Sequence, residues 1–489
     1  MNAMKGKIKA DVVVVGAGAI GSAIARELSK YQLSVVLLEK NEDIGGNASK
    51  ANGGSVICGY DFVPGSLDSI LGVAANPMFD QLTKDLDVDF KRIGLIQVAM
   101  SEDDMEFLKK AQRNAMENGV FDTELITTEE ILKMEPALSD KIVGGMYVPR
   151  QAIVDVFGLV IAYVENAKAN GVTVLTSTKA HGIHKEKGKV CGVYTDLGEI
   201  ETNFVVNAGG LYADEFANTA GINDYENYPR KGEFYLLDKT LPYAPKHIIA
   251  PVPNAQSRGK LLTPTIHGNV LLGPTADNIE DKTDTSTTFE GLQMILKEVK
   301  EKLPAINPRD SVTQFSGLRP KRTPDEMVIR TVEGVHGYVE ANGTSAGVSI
   351  SPTAAIYVVD MLGKEGLELK RDTNFNPIRK RIRMFRDASP QEQDEMIRED
   401  PRYANIICRC ETVSEAEIVE AIHRGARSVD GIKRHLRAGM GRCQGGFCSP
   451  RVIEIIAREL NIPAEAVRKN EPGSEFLIGE NKKGAGKEA

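Results

Sequence analysis

Four cysteines near the carboxyl end of the chain have the crowding expected of a metal or cluster site. Cys408 and Cys410 form a Cys-Arg-Cys pair, and Cys443 and Cys448 follow in Cys-Gln-Gly-Gly-Phe-Cys; they are four of six cysteines in 489 residues. We expect no secretory signal, and without one such thiolates bind metals more often than they oxidise to disulfides. The four cysteines are therefore candidate metal ligands.

The spacing of these cysteines favours a 2Fe-2S cluster over zinc. The second pair lies in a glycine-rich loop, which leaves backbone N–H groups free to hydrogen-bond to cluster sulfur and offset its negative charge. Zinc ribbons and fingers usually contain a Cys-x(2–4)-Cys pair, and the two pairs taken together fit that pattern less well. A structural zinc site stays open as the alternative.

The beginning of the chain has the order of elements that binds a dinucleotide. An apolar strand at 10–15 leads into a glycine turn, a helix to about residue 30, a second strand at 34–38 and then Glu39. Gly16 permits the tight turn, Gly18 lets backbone N–H groups approach a pyrophosphate, and Gly21 lets the helix pack on the strand. Glu39 is placed to accept the ribose hydroxyls. The candidate cofactor-binding residues here are Gly16, Gly18, Ile20, Gly21, Glu39 and Lys40.

Three further segments resemble the D-amino-acid oxidase superfamily of FAD enzymes. They are the loop at 45–55, Val-Val-Asn-Ala-Gly-Gly-Leu-Tyr-Ala-Asp at 205–214, and Gly-Thr-Ser-Ala-Gly-Val-Ser-Ile at 343–350. The resemblance implies FAD as the cofactor and a fold that returns more than once to the flavin. It adds the candidate FAD-binding residues Ser49, Lys50, Asn52, Gly53, Gly54, Ala180, Ala208, Gly209, Gly347, Val348 and Ser349.

Residues 406–455 resemble the bacterioferritin-associated-ferredoxin type of 2Fe-2S domain. Its cysteine pattern, with Gly-Met-Gly-Arg-Cys-Gln-Gly before the last ligand, is specific, and all four ligand positions are present. The resemblance implies a domain that moves single electrons.

Segments 229–239 and 261–277 resemble the branch of glycerol-3-phosphate oxidases and anaerobic glycerol-3-phosphate dehydrogenases, to which L-2-hydroxyglutarate dehydrogenases are near relatives. With the cluster domain, this implies a dehydrogenase that oxidises a small anionic substrate. It also implies a partner flavoprotein or other electron-acceptor protein, and hence a hetero-oligomer.

The general base is the open question of the catalytic chemistry. Cys58 stands where this branch has a histidine, and a thiol of ordinary pKa is a poor base near neutral pH. Either another group such as His267 or Tyr60 serves, or the substrate is an amine that needs no strong base, or Cys58 is only a packing residue.

Two cations are candidates for holding the substrate. Arg319, in Gly-Leu-Arg-Pro, resembles the superfamily arginine that grips a carboxylate or phosphate, a role suited to its planar fork. The alternative is that Arg319 pairs with an internal acid. Lys231 adds positive charge beside the flavin, unless it belongs to a solvated edge.

The predicted fold class is α/β, or α+β overall. We predict a Rossmann-like FAD domain from residues 1–75, 150–220 and 317–369, and an antiparallel-sheet cap from 76–149 and 221–316. A linker at 370–404, a small helical 2Fe-2S domain at 405–468 and a disordered tail at 469–489 complete the chain.

The charge and hydropathy of the chain argue against a nucleic-acid-binding protein and against a membrane-spanning one. A net charge of −8 with scattered basic residues gives no electrostatic footprint for nucleic acid, and no apolar run reaches the length of a membrane span. We therefore expect a cytoplasmic protein, peripheral to a membrane only through a partner.

The predicted function is an FAD-dependent dehydrogenase of glycerol 3-phosphate or a 2-hydroxy acid, with electrons leaving through the cluster to a partner protein. An amino- or imino-acid dehydrogenase is the alternative enzyme. A non-catalytic electron-transfer subunit is the alternative of another class.

Overall fold

A ten-stranded sheet with a parallel centre carries the amino-terminal glycine turn. The computed structural model describes residues 8–254, 258–324, 327–342 and 346–479. The parallel centre is made, in spatial order, by Thr173–Leu175, Val35–Leu38, Val12–Val15, Phe204–Asn207 and Val335–Asn342. Lys189–Thr195, Gly198–Glu201 and Ile8–Lys9 continue this order, while Ala180–Glu186 and Val328–Val332 pair at the side. The three middle strands, Val35–Leu38, Val12–Val15 and Phe204–Asn207, are mostly buried and apolar, as parallel strands covered on both faces require.

Helices cover this sheet and build its larger core. They are Ala19–Leu28, Leu67–Asp85, Val156–Ala169, Ala213–Asn218 and Gly347–Lys364, with a 3-10 turn at Gly210–Tyr212. The first helix packs between Val156–Ala169 and Gly347–Lys364, around residues such as Ile24, Leu28 and Tyr163. The glycine turn that starts this helix is thus held on a rigid support.

A nine-stranded sheet forms the cap. Its spatial order is Asp277–Asn278, Glu226–Leu237, Val270–Gly273, Leu261–Pro264, Ile248–Pro251, Leu95–Ala99, Gly144–Val148 and Glu124–Ile126, and Ser311–Thr323 pairs with Glu226–Leu237. The pairing is antiparallel except between Ile248–Pro251 and Leu95–Ala99, which run parallel. Helices Glu102–Glu117, Thr128–Met134 and Phe289–Lys302 and the 3-10 turn Pro308–Asp310 accompany it, and Ser55–Val56, Ala152–Val154 and Phe90–Arg92 form a small third sheet.

The carboxyl-terminal domain is small and mainly helical. It contains Pro390–Glu399, Glu415–Arg424, Val429–Leu436 and Ser449–Leu460, the strands Ile406–Cys408 and Val413–Ser414, and 3-10 turns at Phe385–Asp387, Pro401–Ala404 and Ala464–Ala466. Ile418, Ile432 and Ile456 lie in its own hydrophobic core. The two large sheets, their helices and this small domain together form an α/β, or α+β, protein. The predicted fold class is therefore confirmed.

Two predicted domain boundaries and the predicted linker at 370–404 differ from the structure. The boundary at residue 317 falls inside the continuous strand Ser311–Thr323, which pairs with the cap strand along its whole length, so residues 317–323 belong to the cap sheet. The boundary at residue 75 falls inside helix Leu67–Asp85, which packs on Gly347–Lys364. Residues 370–384 are not a free linker, since Arg379 donates its backbone N–H to Asp85 (2.8 Å) and Arg381 pairs with Asp89 (3.0 Å).

The predicted disordered tail also differs. Residues 468–475 form a turn, in which the Lys469 N–H donates to the Ser474 carbonyl (2.9 Å) and Arg468 pairs with Glu475 in an isolated antiparallel bridge. Residues 480–489 lie outside the described part of the chain. In the described part, no helix is both long and apolar enough to cross a membrane.

A buried ion-pair network joins the cap to the ten-stranded sheet. Arg322 of the long cap strand lies 3.1 Å from Glu340, and Arg330 lies 2.9 Å from the other carboxylate oxygen. The side chains of Arg322 and Glu340 are 2% and 0% exposed. Removing the carboxylate would leave buried positive charge without compensation.

We expect Glu340→Gln to lower the free energy of unfolding by about 3 kcal/mol or more. The control is Asp360→Asn, which breaks the exposed pair with Lys364 and should cost less than about 1 kcal/mol. Thermal unfolding of both variants measures the difference. Equal midpoints would contradict this account of the network.

Candidate functional site

A cavity of about 530 Å³ lies between the glycine turn and the cap sheet. Nine of the predicted cofactor-binding residues line it: Gly16, Gly18, Glu39, Lys40, Ser49, Lys50, Ala180, Ala208 and Gly209. They come from strand ends and loops far apart in the sequence. The topology thus gathers these residues at one cleft beyond the carboxyl ends of parallel strands, where such sheets bind ligands.

The glycine turn is shaped by close backbone approach. Gly16 has φ +100°, and a Cβ atom there would lie 2.5 Å from the carbonyl oxygen of Ala208. A Cβ atom at Gly21 would lie 1.9 Å from the carbonyl oxygen of Gly16. The turn delivers the start of helix Ala19–Leu28 to the cavity, and the positive end of a helix dipole favours a pyrophosphate there. The cradle fits a dinucleotide.

Glu39 ends the second parallel strand inside the cavity wall. Its carboxylate accepts hydrogen bonds from the N–H groups of Ala17 (3.1 Å) and Asn41 (3.0 Å). Burial raises the pKa of Glu39 above its ordinary value, and these two bonds oppose that shift. The carboxylate is held where the ribose hydroxyls of a dinucleotide would lie.

The other predicted residues support the cavity without lining it. Asn52 donates to the Ser49 carbonyl (2.6 Å) and accepts from the Gly54 N–H (2.8 Å), which fixes the loop. Ser349 donates to the Ser55 carbonyl (3.0 Å). Ile20, Gly21, Gly53, Gly347 and Val348 are likewise absent from the lining, and residues 343–345 lie outside the described part of the chain.

The cavity has lining residues that the sequence analysis did not select. They include Thr178, Lys179, Tyr212, Lys282, Ser316, Gly317, Leu318, Asn470 and Glu471. The Lys40 ammonium lies 3.4 Å from the Tyr212 ring centroid, a cation–π contact. Tyr212 belongs to the 205–214 motif and was within reach of prediction, whereas Asn470 and Glu471 carry no signal recognisable in one sequence.

Arg319 follows directly on the cavity-lining residues 316–318. Its Nη2 donates to the Thr275 carbonyl (2.7 Å), while its buried Nε has no hydrogen-bond partner among the residues that the structure describes. Within the same residues Arg319 makes no direct ion pair, although the internal acid Asp277 is close enough for its charge to act on the guanidinium. Burial lowers the pKa of Arg319 to about 10; Arg230 and Arg258 add to the shift, and Asp277 opposes it.

Arg230 stands directly opposite Arg319 in the antiparallel cap strands. Like charges facing each other across a strand pair are destabilising unless something compensates them. Arg258 is engaged with Asp61 at 3.1 Å and adds a third guanidinium to this region. Such an arrangement can hold an anionic group of a small molecule.

The remaining catalytic candidates are occupied elsewhere. Lys231, 6% exposed, pairs with Asp284 at 2.8 Å. His267 lies 3.7 Å from Asp155 in a small separate cavity beside the carboxyl-terminal domain, not in the large cavity. Lys231 stands directly opposite Leu318 in the cap strands, but its ammonium is bound to Asp284. His267 has no described contact with residues 316–318.

Cys58 lies in a hydrophobic core and is 1% exposed. Burial raises its thiol pKa to about 12, so the thiol stays protonated near neutral pH. Burial likewise raises the pKa of Tyr60 well above its ordinary value. The structure therefore favours the packing interpretation of Cys58 and offers no thiolate base there.

The four carboxyl-terminal cysteines meet as free thiols in two pairs. The sulfur atoms of Cys410 and Cys443 are 3.6 Å apart, and Cys408 is in hydrogen-bond contact with Cys448. This second contact lowers the pKa of Cys408 to about 6, and the N–H groups of Gly439 and Glu411 act in the same direction. Two pairs of thiols with backbone donors around them fit a two-iron cluster with two cysteines on each iron.

Comparison with known proteins agrees with these two sites. Residues 11–361 match the family model described as FAD dependent oxidoreductase, and residues 406–458 match the BFD-like [2Fe-2S] binding domain. The chain is 42% identical over 475 residues to a glycerol 3-phosphate dehydrogenase of Caloramator mitchellensis, covering 96% of this chain and 99% of that protein.

Two more distant relatives have related names. One of the subunits of the anaerobic glycerol-3-phosphate dehydrogenase of Escherichia coli K12 is 24% identical over 490 residues, covering 92% of this chain and 88% of that protein. The structure of L-alpha-glycerophosphate oxidase from Mycoplasma pneumoniae with FAD bound superposes with a TM-score of 0.72 at 27% identity, covering 76% of this chain and 98% of that one.

The glycine turn yields a direct test of the cradle. We expect Gly21→Ala to weaken FAD binding by about tenfold or more, because the added methyl group collides with the Gly16 carbonyl and forces the turn apart. Gly53→Ala is the matched control, since a Cβ atom there meets no described atom within 4 Å. Titration of flavin-stripped protein with FAD measures both affinities. An equal loss in the two variants would contradict the steric explanation.

Proposed function

The chain belongs to the FAD-dependent oxidoreductase family, and on that premise we propose that it is a dehydrogenase of glycerol 3-phosphate that passes electrons through its 2Fe-2S cluster to a partner protein. This chain is similar to dehydrogenases along nearly its whole length, which argues against the alternative of a non-catalytic electron carrier. FAD and the 2Fe-2S cluster are its cofactors.

One observation carries the choice of substrate class. In the described part of the chain Arg319, next to the cavity-lining residues 316–318, has an unpartnered Nε and no direct ion pair. Arg230 stands directly opposite, and Asp277 is the one acid whose charge opposes the burial of Arg319 among the causes of its pKa shift. This excess of positive charge suits a phosphate, whose oxygens accept the two N–H groups of a guanidinium fork. The relatives named for glycerol 3-phosphate support the same class.

FAD, when bound in the cavity lined by Gly16, Glu39 and Ser49, would supply the hydride-accepting chemistry for oxidation of the substrate carbon that bears the hydroxyl. The protein's own work is to hold the phosphate at Arg319 so that this carbon is oriented. The hydroxyl proton, which has to leave as the hydride does, passes to solvent or to a base other than Cys58, because that thiol is already protonated. Glu39 and the helix start at Ala19 hold the adenosine and pyrophosphate end.

Anaerobic mixing with candidate substrates tests the proposal. Glycerol 3-phosphate should bleach the visible flavin absorbance, while unphosphorylated glycerol should leave it unchanged. Bleaching by proline-like or N-methyl amino acids, with none by glycerol 3-phosphate, would overturn the proposed substrate and favour C–N oxidation. Bleaching by L-2-hydroxyglutarate alone would keep the anion site but replace the phosphate.

Arg319→Met should lower kcat/KM for glycerol 3-phosphate by about a hundredfold, the effect of losing a charge-assisted pair. Arg319→Lys should recover only part of the loss, because lysine keeps the charge without the fork. The exposed Arg113→Met is the control. Steady-state kinetics with an artificial dye acceptor measures all three, and unchanged kcat/KM in Arg319→Met would rule out this phosphate site.

The exit of electrons has a separate test. Cys443→Ser should leave flavin reduction by substrate at the wild-type rate and abolish reduction of a one-electron protein acceptor, since a cluster ligand is lost. Cys191→Ser is the control, because this half-exposed thiol lies outside the cluster pairs. Stopped-flow absorbance follows both steps. Normal transfer to the protein acceptor by Cys443→Ser would remove the cluster from the path.

A further inference from the structure

The segment that follows the cluster domain, Arg468–Glu475, returns to the FAD cavity. It lies outside both matched regions, 11–361 and 406–458. Asn470 and Glu471 nevertheless line the cavity together with Gly16, Glu39 and Ser49. The carboxyl-terminal domain therefore supplies part of the wall around a cofactor that the amino-terminal domain binds.

The segment is fixed as a turn at its own ends. The Asn470 N–H donates to the Ser474 Oγ (3.1 Å), and the Ser474 N–H donates to the Glu471 carbonyl (3.1 Å). The Arg468 side chain bonds Glu475 at 3.0 Å and also Glu42, a residue of the amino-terminal domain. Arg468 thus ties the turn to the loop that follows Glu39.

The base of the segment is attached to a helix of the cluster domain. The N–H groups of Val429 and Asp430, in the first turn of Val429–Leu436, donate to the carbonyls of Arg468 (3.1 Å) and Lys469 (2.8 Å). These bonds satisfy helix donors that would otherwise lack partners. The position of the segment therefore follows the position of this helix.

That same helix start is held by the amino-terminal domain. Asp43, which is buried, accepts from the Ser428 Oγ (2.5 Å) and from the Arg427 N–H (2.9 Å). A Cβ atom at Gly431 would lie 2.3 Å from the Asp43 carboxylate, so the two domains meet at close range. The loop of Asp43 continues into Gly46 and Asn47, which also line the cavity.

The charge of Glu471 acts on a lysine of the cavity wall. Burial lowers the pKa of Lys50, a lining residue, and the carboxylate of Glu471 is among the nearby charges that oppose this shift. The Glu471 carboxylate at this wall can accept hydrogen bonds from the hydroxyl and amino groups of a dinucleotide. The Asn470 amide can both donate and accept such bonds.

We infer that Arg468–Glu475 is part of the FAD-binding site, so that the docked cluster domain helps to retain FAD. This inference concerns cofactor binding and holds whichever substrate is oxidised. It gives the cluster domain a structural role beside its electron-carrying one.

The test measures FAD affinity of flavin-stripped, full-length protein by fluorescence titration. Arg468→Ala and Glu42→Ala should each weaken binding by about tenfold, because the wall loses its anchor and must be ordered by FAD itself. The double variant should be no weaker than either single one, since both remove the same pair. The matched control is Arg458→Ala, which removes an arginine that bonds Glu415 (2.7 Å) and Glu459 (2.8 Å) within the cluster domain.

Wild-type affinity in both Arg468→Ala and Glu42→Ala would overturn the inference. An equal loss in Arg458→Ala would also overturn it, because the effect would then come from general weakening of the cluster domain. The cluster absorbance of each variant shows that the domain is folded. Failure of glycerol 3-phosphate to reduce the flavin would leave this measurement unaffected.

Discussion

The close contact of three backbone segments at the glycine turn is the constraint on which the rest of the site depends. Gly16 and Gly21 approach the carbonyls of Ala208 and Gly16 so closely that no side chain fits at either position. This contact fixes where the first helix starts, how far it lies from the sheet, and where Glu39 can reach. The cap and the cluster domain surround a cavity. The position of its glycine turn is determined by the steric limit at Gly16 and Gly21 and not by an attractive contact.

The cofactor sites could be predicted from the sequence because each is encoded locally. Each motif lies within a short segment of chain, so its residue types and spacing indicate the cofactor directly. This holds for the glycine turn, the acid after the second strand and the two cysteine pairs. The comparisons confirmed FAD and the 2Fe-2S cluster as the cofactors. Residues such as Asn52 and Ser349 were selected with the lining residues because sequence does not separate a group that touches a ligand from one that holds the loop behind it.

Catalytic residues and domain boundaries could not be predicted as well, because they depend on contacts between distant segments. The position of Arg230 directly opposite Arg319 follows from the register of two strands that are far apart in the sequence. His267 sits in a motif of its branch, yet folding places it beside Asp155 and away from the large cavity. A single strand, Ser311–Thr323, runs through the predicted boundary because its hydrogen bonds to Glu226–Leu237 continue past it.

The walls of the FAD cavity are drawn from Gly16 at one end of the chain to Glu471 near the other. The ribosome synthesises the chain from the amino terminus, so the domain with the glycine turn emerges first. The last residues of its cavity wall are synthesised much later. The nascent protein can form its glycine turn early, but its cavity is complete only when almost every residue has been synthesised. The wall of the cavity is in this sense completed late in biosynthesis, and a chain cut short before the cluster domain lacks the lining residues Asn470 and Glu471.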